Sequence, residues 1–197
     1  RRVESILTRF RSDSEVGRAN DNAFHGPQGV SPETAAILES ALSWAEVTEG
    51  VFDPCLGRAV AMWDVGNRDR PPEARDVRRF ARRGLFRSLE VGESRGRNVV
   101  VFHDEDMGID LGGIGKGYGV DRAVETLRSW GIQQALVNLG GDLYALGESQ
   151  DGDAWKVGVR APDDLHDLVA TLEMKDRAVA TSGDYQRYFE HGGMRYH

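Results

Sequence analysis

The clearest hydrophobic pattern in the chain begins at Ser31. Ser31-Pro32-Glu33 joins a hydroxyl cap, a proline in the first turn and an acid that complements the helix dipole. Ala35, Leu38, Ala41, Leu42 and Ala45 then recur at helical spacing until Gly50, which predicts an amphipathic helix. A second helix is predicted after Pro71-Pro72, with Val77, Phe80 and Ala81 as its inner face and Gly84 as its stop. Ahead of both, Thr8 to Asn20 (TRFRSDSEVGRAN) is polar with isolated apolar residues. It reads as a loop or short helix lying over a surface, with Phe10 its one aromatic. Gly50 to Gly57 (GVFDPCLG) has the proline and glycine punctuation of a loop.

Beyond residue 95 the period shortens towards that of strands. Asn98 to Phe102 (NVVVF) is strongly β-branched, and Met107 to Leu111 leads as a strand into a glycine-rich segment. Val120, Ala123, Val124, Leu127 and Trp130 form one stripe of a helix predicted from about Gly119 to Trp130. Ala135 to Leu139 reads as a buried strand that breaks at Gly140-Gly141-Asp142. Trp155, Val157 and Val159 alternate with Lys156, Gly158 and Arg160, the mark of a half-buried strand. Leu168 to Met174 and Ala178 to Ala180 are further strands, before Thr181-Ser182-Gly183 turns the chain. The pattern predicts a single α+β domain over residues 1–197, with mixed sheets packed against helices and most of the sheet in the later half.

Composition narrows the function classes. The chain has 197 residues, of which 40% are hydrophobic, enough for a buried core. Its 32 acidic and 25 basic residues leave a formal charge of −7, which disfavours nucleic-acid binding through a generally basic surface. No apolar run approaches the roughly 18 residues of a membrane-spanning helix. The single cysteine, Cys55, excludes an internal disulfide framework and a multi-cysteine zinc site, and nothing beside it suggests an activated thiol. His25, His103, His166, His191 and His197 show no ligand spacing, and no G-x-S-x-G elbow is present. Eight arginines between Arg68 and Arg87 are interrupted by Asp69, Glu73 and Asp76, as on a solvated helix face.

The remaining chemistry gathers around glycine. Ten of the 24 glycines fall between Gly108 and Gly147, and Lys116, one of only three lysines, stands among five of them in Ile109 to Asp121 (IDLGGIGKGYGVD). Such a segment before a helix admits a phosphate, because glycine gives unhindered N–H groups and the helix end is partly positive. It is neither a Walker A loop, since Gly117 follows Lys116, nor a G-x-G-x-x-G fingerprint. On spacing alone, a ligand cradle and a structural strand-to-helix turn both remain open. Asp110 ahead of the glycines, Asp142 in Gly140-Gly141-Asp142, and the hydroxyls of Thr181-Ser182-Gly183-Asp184-Tyr185 each fit a ligand contact or a turn cap.

Taken in order, five segments resemble the ApbE family of FAD:protein FMN transferases, formerly described as thiamine-biosynthesis lipoproteins. They are RSDSEVGRAN at 11–20, GVFDP at 50–54, IDLGGIGKGYGVD at 109–121, ALVNLGGDLYALG at 135–147 and ATSGDYQRYF at 180–189. The resemblance implies an ApbE-like, T-fold-like domain with a flavin cleft, FAD as substrate and Mg²⁺ as cofactor. The FMN moiety would pass to a Thr or Ser hydroxyl of a target protein, with release of AMP. In the family pattern Phe10 matches an aromatic that contacts the flavin, and Val51, Phe52 and Asp53 match an A-F-D segment of the FAD site. Asp110 and Lys116 match FAD-contacting positions, and Gly113 matches a position whose carbonyl is a magnesium ligand. Asp142, Ala180, Thr181 and Ser182 lie in the other cofactor-facing loops. No catalytic residue is assigned.

Family members continue after a segment like Gly192 to His197 with a His-Ile-x-Asp-Pro-x-Thr-Gly motif that carries further magnesium ligands and a proposed catalytic histidine. On this comparison His197 is the neighbour of that histidine, and the family's first strand and helix are also missing. Residues 1–197 alone are therefore expected to bind FAD weakly and transfer FMN poorly. An FAD-binding protein without transfer activity and a magnesium-dependent FAD pyrophosphatase are the competing expectations. Without a visible signal or lipobox, a cytoplasmic location is expected, with an extracytoplasmic lipoprotein as the alternative.

Overall fold

The structure is a computed structural model that describes residues 2–81, 84–161, 167–182 and 187–197. In chain order its elements are α1 (Arg2–Leu7), α2 (Glu15–Asn22), β1 (Gln28–Gly29), α3 (Pro32–Val47), α4 (Gly57–Trp63), α5 (Ala74–Phe80), a 3₁₀ turn (Leu85–Ser88), β2 (Leu89–Ser94) and β3 (Arg97–Phe102). There follow α6 (Gly115–Ser129), β4 (Ala135–Leu139), β5 (Asp142–Leu146), β6 (Trp155–Arg160), β7 (Leu168–Met174), β8 (Arg177–Ala180), β9 (Phe189–His191) and β10 (Met194–Tyr196). They form two compact units, one of residues 1–114 with 189–197 and one of residues 115–188. The class is α+β. Each described sheet is antiparallel, and among the described residues the one parallel pairing is the isolated bridge Leu56↔Gly108.

In the first unit α3 forms as its cap predicts: the Ser31 hydroxyl accepts from the Thr34 N–H at 3.2 Å. The same serine binds Glu15 of α2, whose Oε2 accepts from the Ser31 N–H at 2.8 Å and its hydroxyl at 2.9 Å. Ala35, Leu38, Ala41 and Ala45 are buried as expected, joined by Ile37, while Leu42 is only half-buried. The opening stretch forms the expected short helix, α2, but packs into the core and does not lie only on a surface. Ser14 is buried and caps α2 by accepting from Gly17 N–H, and Val16 and Ala19 enter the core beside Val100, Phe102, Met107 and Ile109. Helix α5 stops at Phe80 and buries none of its residues, with Ala81 exposed. The C-terminal hairpin β9–β10 stacks Tyr196 between Phe189 (5.0 Å) and Trp63 (5.9 Å).

Met107 to Leu111 does not form the expected strand. The segment is almost wholly buried and pairs through the isolated bridge Leu56↔Gly108, with the Gly108 N–H donating to the Cys55 carbonyl at 3.1 Å, while a side chain serves the next residue. Asn20 donates from Nδ2 to the Ile109 carbonyl at 2.9 Å and accepts the Ile109 N–H on Oδ1 at 2.6 Å. Asp110 N–H adds a bond to the Pro54 carbonyl at 2.8 Å.

The second unit has three layers. Helix α6 covers one face of the sheet β4-β5-β8 through Val120, Val124 and Leu146, and the ribbon β6-β7 covers the other around Leu143, Ala145 and Met174. The alternation in β6 is as predicted, with Trp155, Val157 and Val159 turned inward. Two expectations fail. Strand β4 is not a buried strand, since Leu136 and Leu139 are exposed. Trp130, placed on the inner stripe by periodicity, is 73% exposed because α6 has ended at Ser129.

Candidate functional site

The predicted site residues fall into two groups, one in each unit. In the first unit Arg9, which the sequence does not single out, joins two of them. Its Nε lies 2.8 Å from Asp110 Oδ2, with the two side chains only 19% and 20% exposed. Its guanidinium carbon stands 4.3 Å from the centroid of the Phe10 ring, which is itself 76% exposed. The other oxygen of Asp110 accepts the Gly112 N–H at 2.8 Å. The Asp110 carboxylate is thus held on both sides at the turn into the glycine segment.

Phe52 follows the end of α3, where its N–H donates to the Thr48 hydroxyl at 3.1 Å. Its ring lies against Gly113 so closely that a Cβ at 113 would sit 3.0 Å from Phe52 Cε2. A side chain at position 113 would require the Phe52 ring to give way by a few tenths of an ångström. Val51 beside it is exposed. Asp53 is turned inward: its Oδ1 accepts from Cys55 N–H at 2.9 Å and its Oδ2 from Phe86 N–H at 3.3 Å. In this arrangement Asp53 shapes the loop that carries Phe52. Cys55 is fully buried, and burial, with the Asp53 charge adding to it, pushes its thiol up and keeps it neutral and unreactive.

In the second unit the glycine segment is not the loop the sequence predicts. Helix α6 starts at Gly115, four residues before the expected Gly119, so Lys116 sits in its first turn. The Lys116 ammonium lies 2.9 Å from Asp142 Oδ1 and donates to the Gly140 carbonyl at 3.2 Å. Gly140 and Gly141 form the β4–β5 turn with φ of 58° and 95°, the left-handed backbone of a two-residue hairpin. Pairing of β5 with β8 sets Asp142 opposite Ala180, and the next residue, Thr181, donates from its hydroxyl to the Gly141 carbonyl at 3.3 Å. Lys116, Asp142, Ala180 and Thr181, distant in sequence, therefore meet at one end of this unit. Ser182 is exposed just beyond them. Gly183, Asp184 and Tyr185 of the predicted turn lie outside the described residues, as do His166, Arg82 and Arg83.

An ammonium has three donors. Two are directed at Asp142 and Gly140, and the side chain is 46% exposed, which leaves one for a phosphate oxygen. The first turn of α6 carries no acidic side chain, so the positive end of its dipole adds to that preference. Magnesium fits less well. It favours near-octahedral oxygen coordination, yet among the described residues no three His, Cys, Asp or Glu side chains are grouped to hold a metal. Gly113 offers one carbonyl, and the nearby Asp110 is engaged by Arg9 and Gly112. These residues do not by themselves form a magnesium site, and no reaction step is assigned to the metal. The arginine run behaves as a charged surface, with Arg79 paired to Asp106 and Arg75 beside Asp76.

A FAD:protein FMN transferase of Treponema pallidum (strain Nichols) is 36% identical over 208 aligned residues, covering 98% of this chain and 57% of the relative. One from Klebsiella pneumoniae (strain 342) is 35% identical over 199, covering 100% and 60%. Among solved structures, the ApbE protein of Thermotoga maritima matches with a TM-score of 0.89 at 31% identity, over 100% of this chain and 63% of that one. The apo flavinyl transferase ApbE of Pseudomonas stutzeri matches with a TM-score of 0.82 at 27% identity, over 100% and 60%. This chain thus spans less than two thirds of the length of each of these proteins. The ApbE family model matches residues 1–197, and the chain belongs to the ApbE family.

Proposed function

We propose that this chain serves in FAD:protein FMN transfer, moving the FMN moiety of FAD onto a Thr or Ser hydroxyl of a target protein and releasing AMP. The observation that carries the reading is the ApbE match over the whole chain, with relatives 35–36% identical that are named FAD:protein FMN transferases. The grouping of Lys116, Asp142 and Thr181, three residues chosen from the sequence for cofactor contact, supports it.

In the reaction the acceptor oxygen bonds to the FMN phosphorus while the bond from that phosphorus to the bridging oxygen breaks. AMP leaves with the bridging oxygen, and the hydroxyl proton passes to a base or to solvent. Charge builds on the phosphate oxygens, so fixed positive groups favour the transition state. Lys116 supplies one, held in place by Asp142 and Gly140, and the first turn of α6 adds partial positive charge. Phe10 and Phe52 offer aromatic surface for the flavin ring, and Asp110 offers a fixed acceptor. Magnesium dependence belongs to the same proposal, although the described residues alone do not account for it.

The test is incubation of the complete protein with FAD, Mg²⁺ and a candidate acceptor, followed by denaturing electrophoresis and mass spectrometry of the acceptor. The reading expects a fluorescent band and an FMN mass increment on one Thr or Ser, lost with EDTA and with Asp110→Ala. An Asp110→Ala protein with wild-type turnover would remove Asp110 from the site. A fluorescent band that survives EDTA would remove the metal.

A further inference from the structure

We propose that Arg9 is a positioning residue for the flavin, holding the Phe10 ring and the Asp110 carboxylate in one arrangement; this rests on the FAD reading above. Phe10 sits in an exposed turn where a phenyl side chain ordinarily samples several rotamers. Here the flat guanidinium of Arg9 covers one side of the ring at 4.3 Å, and the 76% exposure of Phe10 leaves the rest of the ring open to stack on a planar partner. The same guanidinium reaches Asp110 at 2.8 Å. Both charged side chains are about four-fifths sheltered, so the pair is less screened than a surface ion pair.

The rest of the surroundings is already rigid. Asn20 clamps Ile109, Pro54 accepts the Asp110 N–H, and Gly112 donates to Asp110 Oδ1. Among the described residues Arg9 is the side chain recorded against both Phe10 and the Asp110 carboxylate. Its removal would free the ring and leave a sheltered carboxylate with one backbone donor. A lysine at this position keeps the charge for Asp110 but loses the flat stacking surface.

The experiment measures the dissociation constants of FAD, riboflavin and ADP for the wild-type chain, Arg9→Ala, Arg9→Lys, Phe10→Leu and the Arg9→Ala/Phe10→Leu double variant. The inference expects Arg9→Ala to weaken FAD and riboflavin about tenfold and ADP less than about twofold. Arg9→Lys should fall between, and the double variant should be little weaker than Phe10→Leu alone, because coupled residues are not additive. FAD binding by Arg9→Ala within about twofold of wild type overturns the inference, as does an equal loss for ADP. Should Arg9→Ala fail to fold, Arg9→Lys decides: wild-type riboflavin affinity there overturns the stacking role. A wild-type chain that binds no FAD overturns the functional reading itself, an outcome distinct from a wild type that binds and an Arg9→Ala variant that binds equally.

Discussion

Replacing Asn20 by alanine tests how the Asp110 turn is held. Asn20 satisfies both backbone groups of Ile109, a residue with no exposed surface, and it does so from a helix far away in sequence. Alanine removes both partners and leaves one buried N–H and one buried carbonyl. An orphaned buried group costs about 1–3 kcal/mol, and water entering the vacated space recovers part of it. The expected loss is about 2–4 kcal/mol, which at about 2–4 °C per kcal/mol for a chain of this length lowers the unfolding midpoint by roughly 4–16 °C. Asn20→Asp keeps an acceptor for the Ile109 N–H but sets a carboxylate against the Ile109 carbonyl, so it should recover little. Asn22 is the control, since its Nδ2 bonds the Arg18 carbonyl at an exposed site and its replacement should cost under about 0.5 kcal/mol. Urea unfolding followed by tryptophan fluorescence, with hydrogen exchange at the Ile109 amide as the local probe, measures both. An Asn20→Ala chain within about 0.5 kcal/mol of wild type, with the Ile109 amide still protected, would refute the clamp.

Gly17→Ala should destabilise by about 1–3 kcal/mol or more, because its Cβ would lie 1.9 Å from the Arg11 carbonyl oxygen, whereas Gly29→Ala meets nothing within 4 Å and should unfold like wild type. The Glu15 carboxyl lies below its usual 4.5: burial pushes it up, but hydrogen bonds from Thr34 and from the Ser31 N–H and hydroxyl outweigh that. Its folded value being depressed, Glu15 contributes stability that is complete above 4.5 and lost as pH falls through the folded value. The stability gap between wild type and Glu15→Gln should therefore be widest near neutrality and close at acid pH, and a gap independent of pH would contradict the assignment. Lys116→Ala should lower FAD-dependent turnover about a hundredfold with an unchanged unfolding midpoint, whereas turnover within a fewfold of wild type would remove Lys116 from the phosphate site.

The parts of the fold legible in the sequence are those where local chemistry and tertiary packing agree. The Ser31-Pro32 start of α3 and the alternation in β6 are read directly, because cap and core ask for the same residues. The start of α6 is misread because glycine is a poor helix former, and four glycines of the segment precede the expected start. Packing overrides propensity at Gly119, where a Cβ would press at 3.1 Å on Leu139. Met107 to Leu111 carries the composition of a strand but bonds through an isolated bridge to residues 54–57 and through the Asn20 side chain, and no local pattern announces a clamp that spans most of the first unit. For the site, family resemblance supplies Phe10, Asp110 and Lys116, while Arg9 escapes notice because an arginine in an arginine-rich chain has no distinguishing neighbour. Asp53 is recognisable as a motif residue, yet only the structure reveals its two backbone donors.

The central claim is that FMN moves from FAD to a protein, and the direct measurement is the ratio of AMP released to flavin covalently bound to the acceptor. Transfer predicts the two in equal amounts throughout the reaction, with no free FMN. AMP accompanied by free FMN and an unlabelled acceptor would identify hydrolysis and contradict the account.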